Sequence, residues 1–337
     1  MSRRALVTGG TGQDGWYLIE FLLARDYEVH AQSRRAQPAD QHRGAVRWHI
    51  GDISDPVVLQ DLIAEVLPDE IYNLASVSRP VLSWQIPDET ANVNALVPQR
   101  ICEAVRRLRP SCRIYQATSS EIFGDTTVTP QDENTPCCPQ TPYGIAKLYG
   151  HQTIMAYRRR YGIHASSGIV FNHESPRRPL SYVSQKIAHA AAAVSVGLLE
   201  TKEQDERGRP ILCGGKLRLG NLDVRRDFGF AGDYVEIMHM MLQSDAADDY
   251  VIGTGESHSI RELCEIAFRH VGRDWRDHVV VESELYRRVD SHHTVADSSK
   301  VFTRLGWRPK TTFLDLVTQM VDFRIRYLEG SLKAEWS

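Results

Sequence analysis

The residue types best suited to proton chemistry gather between Ala117 and Lys147. That stretch opens with Ala117-Thr118-Ser119-Ser120-Glu121 and closes with Tyr143-Gly144-Ile145-Ala146-Lys147. Tyr143 and Lys147 stand four residues apart, and Pro142 suits the first turn of a helix, so phenol and ammonium share one helical face. A phenol with an ordinary pKa of about 10 must lose about three pKa units to act as a base near neutrality, or about 4 kcal/mol of differential stabilisation. A neighbouring ammonium and an oxidised nicotinamide ring, both positive, could supply it. Arg113-Ile114-Tyr115-Gln116 alternates as a short buried strand would. Such a strand delivers the hydroxyls of Ser119 and Ser120 and the Glu121 carboxylate to the end where open α/β sheets bind ligands.

Those side chains need a scaffold, and the N-terminal residues begin it. Ala5-Leu6-Val7-Thr8 reads as a strand, followed by a Gly-x-x-Gly-x-x-Gly turn at Gly9, Gly12 and Gly15, then a helix through Leu18, Phe21 and Leu22. Glycines there let the backbone approach a pyrophosphate, which rests on the helix N-terminus beside Gln13 and Asp14. The second strand, 28–33, ends in Ser33-Arg34-Arg35 where an acidic residue would hold the 2′-hydroxyl of NAD. Two guanidinium groups favour a 2′-phosphate instead, which points to NADP rather than NAD. Strand and helix then alternate: a strand at 46–50, a helix through Leu59, Leu62, Ile63 and Val66, a strand at 71–75, a helix over 93–108 and a strand at 166–171. This alternation predicts an α/β fold, a Rossmann-type doubly wound parallel sheet with right-handed crossovers. Beyond 175 the pattern changes. An alanine-rich helix is expected over 183–198, a charged, exposed excursion over 200–210, helices over 233–243 and 313–327, and a capping box at Ser259 to Glu262. The domain reading is an NADP-binding domain over 1–175, rejoined by a later strand and helix, and a smaller α/β substrate lobe over 176–337.

Bulk properties exclude several classes. Forty basic and 43 acidic residues give a net charge of −3, so no nucleic-acid surface is indicated. No apolar run reaches membrane-spanning length, and Met1-Ser2-Arg3-Arg4 leads into a strand without a signal-peptide core. The six cysteines show no metal spacing and read as reduced thiols, which suggests a cytoplasmic protein.

The motifs Thr8-Gly9-x-x-Gly12-x-x-Gly15 and Tyr143-x-x-x-Lys147 resemble the extended short-chain dehydrogenase/reductase superfamily. Within it the chain is similar to the GDP-mannose 4,6-dehydratase family, through residues 11–15 (TGQDG), 171–178 (FNHESPRR), 219–223 (LGNLD), 226–228 (RDF), 232–235 (GDYV), 255–261 (GESHSIR) and 305–309 (LGWRP). The resemblance implies loss of water from a nucleotide-diphosphate sugar, with NADP tightly bound and recycled. Tyr143 would take the C4 hydroxyl proton and Lys147 would hold the phenolate and the nicotinamide ribose. Glu121 would remove the C5 proton as the C6 hydroxyl departs. Ser119, at a position where the family usually has threonine, would bond the C4 oxygen, assisted by Ser120. Asp52 and Ile53 would contact adenine, Leu74 and Ala75 would line the cofactor groove, and His173 and Arg178 would also touch the cofactor. By residue chemistry alone, His173 and the His292-His293 pair read as structural or solvated. Asn172, Lys186, Arg226 and Arg287 would engage the substrate, the three cations meeting its diphosphate, with Ser83 within reach of the sugar.

Departures from the family pattern are also present. Arg287-Arg288-Val289-Asp290 stands where Arg-Pro-x-Glu is usual, which alters the ribose contacts expected of Asp290. Pro179 replaces a glycine, Val77 and Arg79 occupy a substrate-facing stretch, 200–213 is longer than usual, and the segment after Arg35 is shorter. The resemblance also implies pairing of subunits through two helices each, as a dimer or tetramer. A nucleotide-sugar epimerase, reductase or decarboxylase, and a non-catalytic NADP-binding regulator, remain alternatives at this point.

Overall fold

Short apolar runs alternating with amphipathic helices favour an arrangement that buries both faces of the central strands, and the chain adopts it. In the computed structural model, which describes residues 2–34, 44–205, 207–286 and 293–331, seven strands form one parallel sheet. It belongs to a first compact unit made of Met1–Phe171, Ala231–Gly253 and Ala296–Arg308. In chain order this unit contains β1 (Arg4–Thr8), α1 (Gln13–Leu23), β2 (Glu28–Ser33), β3 (Val46–Ile50), α2 (Pro56–Val66), β4 (Glu70–Asn73), α3 (Val97–Leu108), β5 (Arg113–Ser119), α4 (Pro142–Tyr161), β6 (Ala165–Val170), α5 (Ala231–Gln243) and β7 (Asp249–Ile252). Spatial order is β7-β6-β5-β4-β1-β2-β3, a doubly wound sheet whose direction of travel reverses between β1 and β4.

Period-two alternation sorts the strand residues to opposite faces. Ala5, Val7, Tyr72 and Tyr115 pack with Leu18 and Leu22 of α1 and with Tyr234, Met238 and Met241 of α5. Leu6, Ile71 and Ile114 pack on the other side with Leu59 and Ile63 of α2, Ile101 and Val105 of α3, and Ile154 of α4. Caps end the helices where the sequence provides them. The Asp55 side chain accepts from Val57 N and Val58 N ahead of α2, and Thr141 Oγ1 accepts from Gly144 N ahead of α4.

The helix expected over 93–108 is two pieces. Asn92–Leu96 is a π-turn, and α3 follows it with Pro98 in its first turn. The wider turn presents Asn94, whose Oδ1 accepts from Ser76 Oγ and Val77 N and whose Nδ2 donates to Val77 O, each at 3.0 Å. One side chain thereby fixes the loop that leaves β4.

The second unit comprises Asn172–Phe230, Thr254–Val295 and Pro309–Ser337. Its core packs the helices Val183–Ser195, Ile260–His270 and Phe313–Leu328 against short strands that include Arg225–Phe230 and Lys216–Leu219. The alanine-rich helix ends at Ser195 rather than 198, with Val196 as its cap residue. The segment expected to be a charged, exposed excursion does expose Glu200, Lys202, Gln204, Arg207 and Gly208, but it is tied down at two points. Thr201 is buried, Glu203 meets His189 Nε2 at 3.3 Å and accepts from Tyr327 Oη at 3.1 Å, and that histidine holds its carboxyl down at about 2. Ser259 Oγ does accept from Glu262 N at 3.1 Å, but the Glu262 carboxylate turns to Arg225 and His258, so only half the expected capping box forms. No described helix is long and apolar enough to cross a membrane.

The far end of α4 is locked to the sheet by a nearly buried, two-bond ion pair. Arg158 Nη1 and Nη2 donate to the Asp249 carboxylate at 3.0 and 2.5 Å, and Nη1 also donates to Ala165 O at 2.8 Å. Arg158→Met is expected to cost about 3–5 kcal/mol, because it strands the Asp249 charge. Urea unfolding measures this, and adding Asp249→Asn should restore part of the loss.

Candidate active site

β5 and α4 bring together the residues the sequence singled out. β5 ends at Ser119, whose Oγ accepts from Glu121 N at 3.3 Å and so starts a single 3-10 turn over Ser120–Ile122. Twenty residues later α4 begins beside that turn. A Cβ placed on Gly144 would lie 2.7 Å from Glu121 O and 3.0 Å from Pro139 Cβ. Only glycine allows this approach, and it makes the Glu121 backbone the neighbour of the residue after Tyr143.

Tyr143 and Lys147 are buried, 7% and 4% exposed. Lys147 Nζ donates to Ala117 O at 2.9 Å and lies 5.7 Å from the centre of the Tyr143 ring. Burial pushes its pKa down from 10.5 to about 8, an effect the Asp14 carboxylate partly opposes. The helix start is held by a residue expected elsewhere. Ser83 was expected to reach a sugar, but it is 0% exposed; its Oγ donates to Pro80 O at 2.6 Å and accepts from Tyr143 N at 3.2 Å. Its contribution is to satisfy an N–H that the first turn of α4 leaves without an intrahelical partner.

At the other end of the unit, Gly9 adopts φ +67° after β1. A Cβ there would sit 2.9 Å from Ala75 Cα, and one on Gly15 would sit 2.5 Å from Gly9 O. Gly12 precedes α1 without a capping side chain, Gln13 and Asp14 occupy its first turn, and Thr11 and Gly12 face outward. Backbone this close, at the N-terminus of an eleven-residue helix, fits a dinucleotide diphosphate. Leu74 N and Ala75 N both donate to Thr8 Oγ1, which places these two residues against the turn. Arg34 is exposed and pairs with Glu89 at 2.5 Å. Arg35 lies outside the described residues. Asp52 is exposed, its Oδ1 accepting from Ser54 N at 2.9 Å. Ile53 was expected at adenine; the residue is 2% exposed and its side chain packs in the α2 core. Val77, assigned to a substrate-facing stretch, is buried as well.

The remaining expected residues lie in the second unit. Asn172 begins a strand, Asn172–Glu174, that pairs in parallel with Arg225–Phe230, and His173 and Glu174 are buried within it. Arg178 meets Glu174 at 3.2 Å and lies over the Tyr182 ring at 3.7 Å. Lys186 is in the first turn of Val183–Ser195, and Arg226 Nη1 donates to Arg225 O at 2.8 Å. Arg287 and Asp290 lie outside the described residues, as do Arg288, Val289 and His292. Sequence reasoning passed over Gly144 and Asn94. The first looked like a spacer inside Tyr-x-x-x-Lys; the second was the polar residue in an apolar helical run, a signal that was visible.

Comparison with known proteins places this architecture. The family model described as GDP-mannose 4,6 dehydratase matches residues 6–320. The chain is 42% identical over 335 residues to GDP-mannose 4,6 dehydratase 1 of Arabidopsis thaliana, covering 94% of this chain and 88% of the relative. It is 36% identical to GDP-mannose 4,6-dehydratase of Vibrio cholerae, covering 99% and 97%. Among solved structures, UDP-glucose 4-epimerase of Thermotoga maritima superposes with a TM-score of 0.84 at 19% identity, over 96% of this chain and 99% of that one. The dTDP-glucose 4,6-dehydratase of Bacillus anthracis, solved with NAD, gives 0.80 at 19%, over 97% and 98%. These two likenesses are likenesses of fold.

The buried ammonium makes a testable demand on stability. The gap between about 8 and 10.5 corresponds to about 3 kcal/mol. Between those values the unfolded chain holds the proton and the folded chain does not, so stability rises with pH across that window and the penalty is complete below it. Lys147→Met should therefore stabilise the chain at pH 7 by on the order of 1–3 kcal/mol in urea unfolding, a gain that fades as the pH climbs through the window. A destabilised variant at pH 7 would contradict this.

Proposed function

The chain belongs to the GDP-mannose 4,6 dehydratase family and is a nucleotide-sugar 4,6-dehydratase, and on that premise we propose that it converts GDP-mannose to GDP-4-keto-6-deoxymannose with NADP as its resident cofactor. The observation that carries this reading is the approach of Glu121 to Gly144. It sets a carboxylate-bearing turn beside a buried Tyr–Lys pair, and elimination needs that carboxylate whereas simple oxidation does not.

The turn at Gly9, Gly12, Gln13, Asp14 and Gly15 holds the cofactor diphosphate, Asp52 and Ile53 take the adenine, and Leu74 and Ala75 line the groove. Arg34 is drawn from Glu89 to the 2′-phosphate, with Arg35 beside it, and His173 and Arg178 complete the cofactor contacts. When bound, the nicotinamide supplies a place for a hydride leaving sugar C4 and later returning at C6. Tyr143 Oη takes the proton of the C4 hydroxyl. Lys147 Nζ, cationic below its pKa of about 8, stabilises that phenolate by charge across a dry interior. Ser119 Oγ donates to the C4 oxygen, with Ser120 alongside. Once C4 is a ketone the C5 hydrogen is acidic. Glu121 removes it and hands a proton to the departing C6 hydroxyl, so that water leaves; as hydride reaches C6, C5 takes up one solvent-exchanged proton and Tyr143 releases the proton it took from the C4 hydroxyl, so that both groups are restored. Asn172, Lys186, Arg226 and Arg287 bind the substrate, the three cations at its diphosphate, with Asp290 at the nucleoside ribose.

A second copy of the chain is the expected partner, as a dimer or tetramer. Ile145 and Tyr149 on α4 and Leu96 before α3 are large apolar side chains left exposed. Six cysteines without a disulfide fit a cytoplasmic setting.

Incubation with a panel of nucleotide sugars and no added reductant, followed by mass spectrometry, tests the reading. A product of GDP-mannose lighter by one water is expected; a new stereoisomer of unchanged mass, or inertness across the panel, would contradict it. Glu121→Gln should lower water loss by about 10²–10⁴-fold with cofactor binding intact. Arg34→Ala should weaken NADP binding by about tenfold or more while leaving NAD nearly unaffected.

A further inference from the structure

Three buried polar side chains cross the sheet beneath the candidate site. Thr8 ends β1, Asn73 ends β4 and Gln116 stands near the end of β5, and none is more than 3% exposed. They are register partners: Thr8 pairs with Asn73, and Asn73 with Gln116. Thr8 Oγ1 lies 2.7 Å from Asn73 Oδ1, Asn73 Nδ2 lies 2.7 Å from Gln116 Oε1, and Gln116 Nε2 lies 2.9 Å from Ala117 O. That carbonyl is the one to which Lys147 Nζ donates, also at 2.9 Å.

The direction of the line follows from its end. A carbonyl only accepts, so Gln116 must turn its NH2 to Ala117 O and its oxygen to Asn73. Asn73 must then offer its NH2, which leaves its oxygen for Thr8. The Thr8 hydroxyl spends its single proton there, and its lone pairs receive Leu74 N and Ala75 N at 3.1 Å each. Every amide orientation is thereby determined, and each bond polarises the next in the same sense. One lone pair of Ala117 O is held by Gln116, and the other faces Lys147.

We propose that Gln116 and Asn73 are positioning residues for Lys147, fixing the carbonyl that receives its ammonium and tying that point, through Thr8, to the glycine turn two strands away. The inference rests on the role given above to Lys147. Its physical basis is that an ammonium on a flexible four-carbon stem is located by what it donates to. Tyr143 faces it from the same helix and Asp14 from α1, and the hydrogen bond that fixes its position is to Ala117 O.

Gln116→Met keeps the volume and removes both amide bonds. It should lower kcat by about tenfold or more, since misplacement of a reacting group is costly, while KM for the nucleotide sugar stays within about threefold. Asn73→Ala, one link farther away, should act in the same sense but less. Gln116→Glu cannot donate when ionised and sets a carboxylate within about 6 Å of Nζ, so the 13Cε resonance of Lys147, followed in the chain without substrate, should titrate about one pH unit higher. Lys147→Met is the control. If it is inactive while Gln116→Met retains wild-type kcat and Gln116→Glu leaves the titration unmoved, the positioning proposal is overturned. If Lys147→Met keeps wild-type kcat, the role of Lys147 fails instead; the titration, which needs no turnover, still decides whether Gln116 governs its setting.

Discussion

An ammonium taken out of water is the constraint on which the first unit depends. Lys147 is 4% exposed, yet a charge inside protein is tolerated only where its surroundings replace hydration. The replacement here is one backbone carbonyl at the end of β5 and the field of a carboxylate on α1. Neither exists without the parallel sheet, because the carbonyl lies just past the point where β5 stops pairing with β4 and the carboxylate belongs to the helix that follows β1. The cost in stability is of the order of one large core substitution. It is carried by the cores on both faces of the sheet and by the ion pair at the far end of α4.

The same logic explains the small residues around α4. A side chain at 144 would push the helix away from Glu121, and the Tyr143 N–H would be an orphan without Ser83. Each is a local solution to one problem: bringing the turn that carries Glu121 against the helix that carries a buried phenol and ammonium, with the first N–H groups of that helix satisfied. Asn94 does for the β4 loop what Ser83 does for the helix. Geometry that would otherwise be left to flexible loops is set by these side-chain hydrogen bonds.

How much of this could be read from sequence depends on what each feature is made of. The seven-stranded sheet was legible because strands buried on both faces are continuous apolar runs and their helices are periodic, which are properties of the chain itself. The Tyr–Lys helix and the glycine turn were legible because proline, glycine and spacing carry backbone meaning. Ser83 and Ile53 are buried, which the sequence did not reveal because a serine or an isoleucine near a site looks alike whether it faces the ligand or the core. The exposure of the 200–210 segment was legible from its charge, whereas the anchoring of Glu203 to buried His189 was not, because that partner lies on a separate helix. The π-turn at 92–96 was invisible because it differs from an α-turn by one residue in a hydrogen bond. Asn73 and Gln116 were the most telling omissions: amides inside apolar strands ask for partners, and the partners lay one rung away on strands distant in sequence.

The central claim is that a transient ketone makes the sugar a carbon acid which a single carboxylate exploits. Turnover of GDP-mannose deuterated at C4, run in ordinary water and again unlabelled in heavy water, tests it most directly. The account predicts that the C4 deuterium reappears at C6 of the same molecule and that heavy water contributes one deuterium at C5. A product with the C4 label still in place, or with no solvent hydrogen at C5, would contradict it.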